Sequence, residues 1–270
     1  MCGDFSLMKK IYKILIILLV IVSLCAGLIW WQFENIRALY YWMKYSEDDI
    51  DALMSENSSQ VETILEEKTE YQVRPSKPVE EELHKKGVID DKELVNLITE
   101  QTTIKDMFGT ELELSEDKKL TITESGENID AETATQLKQE AETSTDKKDE
   151  PSSDKESEIS SSIAQVYVIK ANFVGQLDVI YNQAFSEYKA LWRDMTKEQR
   201  SAKKKELLSE VYPKASALER DCDAQIDQLL SKLTVLLKEA GDDTGLVDQI
   251  RNSYYNEKSL KKAHYLSLIT

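Results

Sequence analysis

The chain has 270 residues, and its 34 Lys and Arg against 50 Asp and Glu give a formal net charge of −16. Only two histidines and three cysteines are present, so zinc sites and histidine-activated nucleophiles have little material, and the acidic balance lacks the basic face that nucleic-acid binding needs. The charge is concentrated: residues 1–45 carry 5 basic and 2 acidic side chains, residues 46–160 carry 13 and 33, and residues 161–270 carry 16 and 15.

The first predicted element lies in IYKILIILLVIVSLCAGLIWW, Ile11 to Trp31. Its 18 residues from Ile14 to Trp31 hold no charge, enough to cross a hydrocarbon core about 30 Å thick. A cleaved secretory signal has a shorter apolar region ending in a small-x-small site. Ser23 to Gly27 is a poor version of that site, and apolar residues follow it up to Trp31. A lipoprotein signal wants a small residue directly before its cysteine, and Leu24 precedes Cys25. The segment is therefore expected to remain as a transmembrane signal-anchor (14–31) whose anchoring residues include Ile14, Leu18, Ile21, Leu24, Trp30 and Trp31. Lys9, Lys10 and Lys13 precede it and an acidic stretch follows, which by the positive-inside bias puts residues 1–13 in the cytosol and the bulk of the chain outside.

Residues 32–74 are expected to continue as a helical stalk. Ile36, Leu39, Tyr40, Met43, Ile50, Leu53 and Met54 recur at steps of three and four, and Pro75 and Pro78 end the pattern. Tyr40, Tyr41, Trp42 and Tyr45 crowd the base of the stalk, either as interfacial anchors or as a seam for self-association. Ser23 and Gly27 form a small-xxx-small pair that would let two spans approach closely.

Residues 75–124 are expected to form a small, weakly structured helical and hairpin segment. Gly87, Ile89, Asp90 and Glu93 have the spacing of the second half of an EF-hand loop, but Glu82, His84 and Lys86 stand where the first half needs oxygen ligands. A capping box from Asp90 to Glu93 explains the same letters better, and they are similar to those of short helical-hairpin modules. ELELSEDKKLTI, Glu111 to Ile122, alternates on both sides of a polar turn and predicts a hairpin. From Ser125 to Ser162 there are few large apolar groups, which predicts an acidic disordered linker (125–162).

Residues 163–270 are expected to form an antiparallel three-helix, coiled-coil-like module. One helix carries Val166, Phe173, Leu177, Ile180, Ala184, Tyr188 and Leu191 on one face. Thr196 and Gln199 make a capping box for a second helix that carries Leu207, Val211, Leu218, Cys222, Ile226, Leu229 and Leu233. The apolar phase passes unbroken across Pro213, so one kinked helix is expected rather than two. Gly241 ends it, and a third helix carries Leu246, Ile250, Tyr254 and Leu260 before a terminus expected to dock on the other helices or on a partner.

No nucleotide-binding, hydrolase or zinc-protease motif is present, and Asp221, Asp223 and Asp227 do not converge on a helix. Cys2, Cys25 and Cys222 cannot pair with one another on one side of the membrane, so Cys222 is expected to be a small buried helix residue, with an intermolecular bridge as its alternative. The candidate interaction residues are Phe173, Leu177, Ile180, Leu218, Cys222 and Leu229 on the helical seams, with the basic cluster Arg200, Lys203, Lys204 and Lys205. The fold class expected is mostly α. The function expected is a non-enzymatic, single-pass interaction or scaffold protein outside the cytosol, with no cofactor or metal. Its partners would be the lipid bilayer and a protein, or a second copy, meeting the helical seams. The alternative is a tethered module whose basic cluster binds an extracellular ligand or wall polymer.

Overall fold

The computed structural model describes residues 33–66, 71–115, 117–142 and 155–269. The expected cytosolic tail and the expected anchor, with Ile14, Leu18, Ile21, Leu24, Trp30 and Trp31, lie outside them. Among the described residues, no helix is long and apolar enough to cross a membrane.

The described chain is mostly α-helical. In order, it contains α1 (Phe33–Lys44), α2 (Glu47–Glu66), α3 (Pro78–Lys85), α4 (Asp91–Ile98), α5 (Ile104–Phe108), β1 (Leu112–Leu114), β2 (Leu120–Ile122), β3 (Glu127–Ile129), α6 (Ala131–Glu142), α7 (Lys155–Leu191), α8 (Lys197–Ala240) and α9 (Gly245–Ile269). Two compact units divide it: residues 1–57 with 252–270, and residues 58–251.

The first unit joins α1 and the start of α2 to the last part of α9. Its helical stalk is not continuous, because α1 stops at Lys44 and Ser46 starts a new helix. The Ser46 hydroxyl accepts from the Asp49 N–H at 3.3 Å, and the Asp49 carboxylate accepts from the Ser46 N–H at 3.0 Å. This reciprocal cap satisfies donors that a continuing helix would have bonded internally. Nor does the stalk stand alone. Ile50, Leu260 and Ala263 are buried together, with Tyr41, Trp42, Tyr45, Leu53 and Met54 packed around them.

In the second unit, residues 71–142 bury a set of large apolar side chains. Leu83, Leu94, Leu97, Ile98, Phe108 and Leu120 are among its fully buried side chains. The predicted hairpin is present as β1 and β2, with Leu112 opposite Ile122, and β3 extends it to a three-stranded antiparallel sheet. The Asp90–Glu93 capping box is formed, and Gly87 takes a positive φ of 71°, which a residue without Cβ adopts at little cost. Helices α3 and α4 pack on α7.

The expected disordered linker is corrected at both of its ends. β3 and α6 occupy its first part, α7 begins at Lys155, and residues 143–154 lie outside those described. The reason is tertiary. Asp130 accepts from the Thr133 N–H at 2.8 Å to start α6, Ala134 is fully buried, and Lys138 pairs with Glu93 at 2.5 Å. In α7, Ile159 and Ile163 are buried although Ser and Glu surround them. A few well-placed apolar residues and ion pairs hold a segment whose average composition reads as solvated.

Of the three helices expected in residues 163–270, α7 and α8 pack against each other as a hairpin. A 3-10 turn, Trp192–Asp194, leads to Thr196, whose side chain accepts from the Gln199 N–H in the predicted capping box. Helix α8 runs without interruption through Pro213 and ends at Gly241, whose φ is 83°. The third helix divides: residues 245–251 belong to the same unit as the hairpin, and residues from 252 belong to the unit of α1 and the start of α2.

Candidate functional site

Two surfaces carry the polar and apolar chemistry that the sequence points to, one on the hairpin and one in the unit of the chain ends. On the hairpin, the seam residues separate. Cys222 and Leu229 are buried, whereas Phe173, Leu177, Ile180 and Leu218 are half-buried. Phe173, Leu218 and Cys222 come together with Ile169 in a cleft of about 240 Å³, where the carboxamides of Asn172, Gln176 and Gln225 complete the wall. Leu177, Ile180 and Leu229 do not line it. The cleft is neutral, and nothing in it resembles a nucleophile with an activating base.

The basic cluster is largely engaged within the chain. The Arg200 guanidinium lies 4.1 Å from the centre of the Trp192 ring, and its Nε donates to the Trp192 carbonyl at 3.2 Å. Trp192 in turn meets Tyr188 edge to face at 5.2 Å. Arg200 therefore closes the hairpin turn, a cation over an aromatic face with a hydrogen bond to a carbonyl beside it. Lys203 pairs with Glu206 at 2.7 Å, Lys204 is half-buried, and Lys205 is exposed.

Asp221 and Asp227 are exposed and Asp223 half-buried, and among the described residues no cluster of acids, histidines or cysteines has metal-binding geometry. The EF-hand-like letters are occupied in another way: one Glu93 oxygen accepts from the Asp90 N–H at 2.8 Å and the other pairs with Lys138. Between α3, α4 and α7 lies a polar contact that spacing did not reveal. His84 Nε2 and Asp91 Oδ1 are 2.7 Å apart, Asn172 donates to the same oxygen at 3.2 Å, and Lys85 pairs with Asp178 at 2.5 Å. The contacts of Asn172 with Asp91 and of Lys85 with Asp178 span 81 and 93 positions of the chain, so only the packing of the small segment on α7 makes them.

In the unit of the chain ends, α9 meets α1 and α2 through a row of polar contacts. Arg37 Nε donates to Ser259 Oγ at 3.0 Å, and its Nη2 donates to the Tyr255 carbonyl. The Tyr41 hydroxyl donates to Asn256 Oδ1 at 3.0 Å, while Asn256 Nδ2 donates to Asn57 Oδ1 at 2.8 Å. Asn57 returns a bond to Ser253 Oγ at 3.1 Å. Asn256 thus uses both ends of its carboxamide to bridge α1 and α2. The signal in the sequence was Ser253, Asn256 and Ser259, three polar residues at steps of three on an otherwise mixed helix. Lys44 sits over the Tyr40 and Tyr45 rings, at 5.1 and 4.8 Å from their centres, and hydrogen bonding to those tyrosines raises its pKa above the usual lysine value.

Compared with protein-family models, with curated proteins and with solved structures, the chain matches none.

Proposed function

We propose that this chain is a membrane-anchored, non-enzymatic protein that presents the α7–α8 hairpin outside the cytosol for contact with another protein. The observation that carries this reading is the apolar exposure left along both legs of the hairpin. Val179 is 63% and Tyr212 67% exposed, and Leu208 is also open to solvent. Helices of 37 and 44 residues correspond to about 55 and 66 Å at the standard rise, a long platform for a partner's helix or groove. Large side chains held outward on rigid helices are suited to act as anchors in an interface.

Support for the membrane location comes from the uncharged 18-residue run, the lysines before it and the tryptophans at its end. A tag placed after Thr270, followed by protease treatment of intact spheroplasts, tests the topology. Loss of the tag with a retained membrane fragment is expected, and a protected tag rejects the outward orientation. A photo-cross-linking residue at position 212 of the full chain tests the interaction. Discrete adducts of higher mass that disappear with Val179→Glu are expected, and an unchanged monomer band rejects the hairpin as the contact surface.

A further inference from the structure

Helix α1 has two faces of opposite character. Arg37, Ala38, Tyr41, Trp42 and Tyr45 turn toward α9 and α2, where Ala38 is 2% exposed and Arg37 and Tyr41 hold their polar partners. Leu39, Tyr40 and Met43 lie at steps of one and three on the other side, 44, 48 and 67% exposed. Among the described residues, the contacts made by this strip are those of Tyr40 with its helix neighbours Tyr41 and Lys44. The aromatic cluster that looks continuous in sequence is therefore split. Tyr41, Trp42 and Tyr45 serve the packing of the chain ends, and an apolar strip remains outward, with Lys44 next to it.

The position of this strip in the chain limits what can cover it. Leu39 follows Trp31, the last residue of the uncharged run, by only eight positions. If α1 continued along the membrane normal, Met43 would stand about 18 Å beyond Trp31. That is outside a headgroup layer roughly 5–8 Å deep, in water. If α1 instead runs along the surface, Leu39, Tyr40 and Met43 enter the acyl–headgroup boundary. Lys44 can then extend its ammonium to the headgroups, and the polar face remains outward for α9.

We propose that α1 is an interfacial helix whose Leu39–Tyr40–Met43 face is covered by the outer leaflet of the membrane. This inference rests on the membrane reading above. Its consequence is that residues 253–259 of α9, clamped to the opposite face of α1 and to α2, are held at the membrane surface although they lie more than 200 residues beyond the span. In sequence, residues 58–251 then leave from and return to that one unit.

The test uses the full chain in nanodiscs of phosphatidylcholine and phosphatidylglycerol, with a benzophenone amino acid at position 24, 39, 43 or 56 in turn. Glu56 is exposed on α2 and serves as the water-facing control. On illumination, positions 24, 39 and 43 are expected to gain the mass of one phospholipid, and position 56 is expected not to. Lipid adducts at 24 without adducts at 39 and 43 overturn the interfacial placement and leave the anchor intact. An absence of lipid adducts at 24 overturns the anchor as well. A cross-linked dimer from 39 or 43 in place of lipid shows that a second copy covers the strip, and also overturns the proposal.

Discussion

Arg74 holds Glu80 at two points: Nη2 lies 2.5 Å from Oε1, and Nη1 lies 2.9 Å from Oε2. Glu80 is almost fully buried, at 1% side-chain exposure, and also accepts from the Lys77 N–H at 2.8 Å. Arg74 donates in addition to the carbonyls of Pro75 and Leu97. The pair therefore fastens the extended segment before α3 to the end of α4, and every charge in it has partners.

Removing the guanidinium would leave a buried carboxylate without its cation, a change that costs about 3–5 kcal/mol. Arg74→Ala is expected to lower the opening free energy of residues 71–142 by an amount in that range, read by hydrogen exchange at Leu83, Leu94 and Leu97. Arg74→Lys should recover only part of it, since an ammonium cannot make the two-point contact. Equal stability of Arg74→Ala and the parent chain would show that the pair is not a fastening.

Asn57 is 5% exposed and exchanges hydrogen bonds with both Ser253 and Asn256. Asn57→Ala deprives Asn256 Nδ2 of its acceptor in a part-buried contact, at a cost of about 1–3 kcal/mol. Amide protection in residues 253–264 should fall by the corresponding factor of roughly 5 to 150, with protection in α3 and α4 unchanged.

Pro213 sits inside α8 on an exposed face. An interior proline costs a helix about 3 kcal/mol through its missing N–H and ring clash, and its stiffening of the unfolded chain returns only about 0.4–1 kcal/mol. Pro213→Ala is therefore expected to stabilise the hairpin by about 2 kcal/mol, measured as a raised midpoint in a helical circular-dichroism melt. A lowered midpoint would mean that the ring at this position contributes packing that exceeds the backbone cost.

The Asp49 carboxyl is held below its ordinary value of 3.8 by the hydroxyl of Ser46 and then by the Ser46 backbone N–H. A carboxyl depressed in the folded state stabilises the fold above its unfolded pKa and loses that contribution as pH falls through the folded value. The α1–α2 junction is thus expected to loosen only below about pH 4. In a carbon-detected NMR titration, Ser46→Ala should raise the Asp49 midpoint toward 3.8.

Where local chemistry suffices, the sequence specified the outcome. The capping boxes Asp90–Glu93 and Thr196–Gln199, the stop at Gly241, the hairpin around Leu112 and Leu120 and the passage of one helix through Pro213 all follow from residues within a few positions of each other. Each rests on backbone groups and phase that neighbours alone satisfy. The uncharged run and its flanking lysines likewise belong to the sequence by itself.

The tertiary structure decided the rest, through contacts that no local pattern specifies, most of them between residues 45 to more than 200 positions apart. Residues 131–142 read as a solvated linker until Lys138 meets Glu93 and the Val88 carbonyl. Tyr40 and Tyr41 read as one aromatic cluster until Asn256 takes the second and leaves the first outward. Arg200 reads as a surface cation until the Trp192 ring lies beneath it. Helical period fixes which side chains share a face, but two faces of similar polarity compete for the same partners. Only the geometry of the assembled helices determines which face is covered.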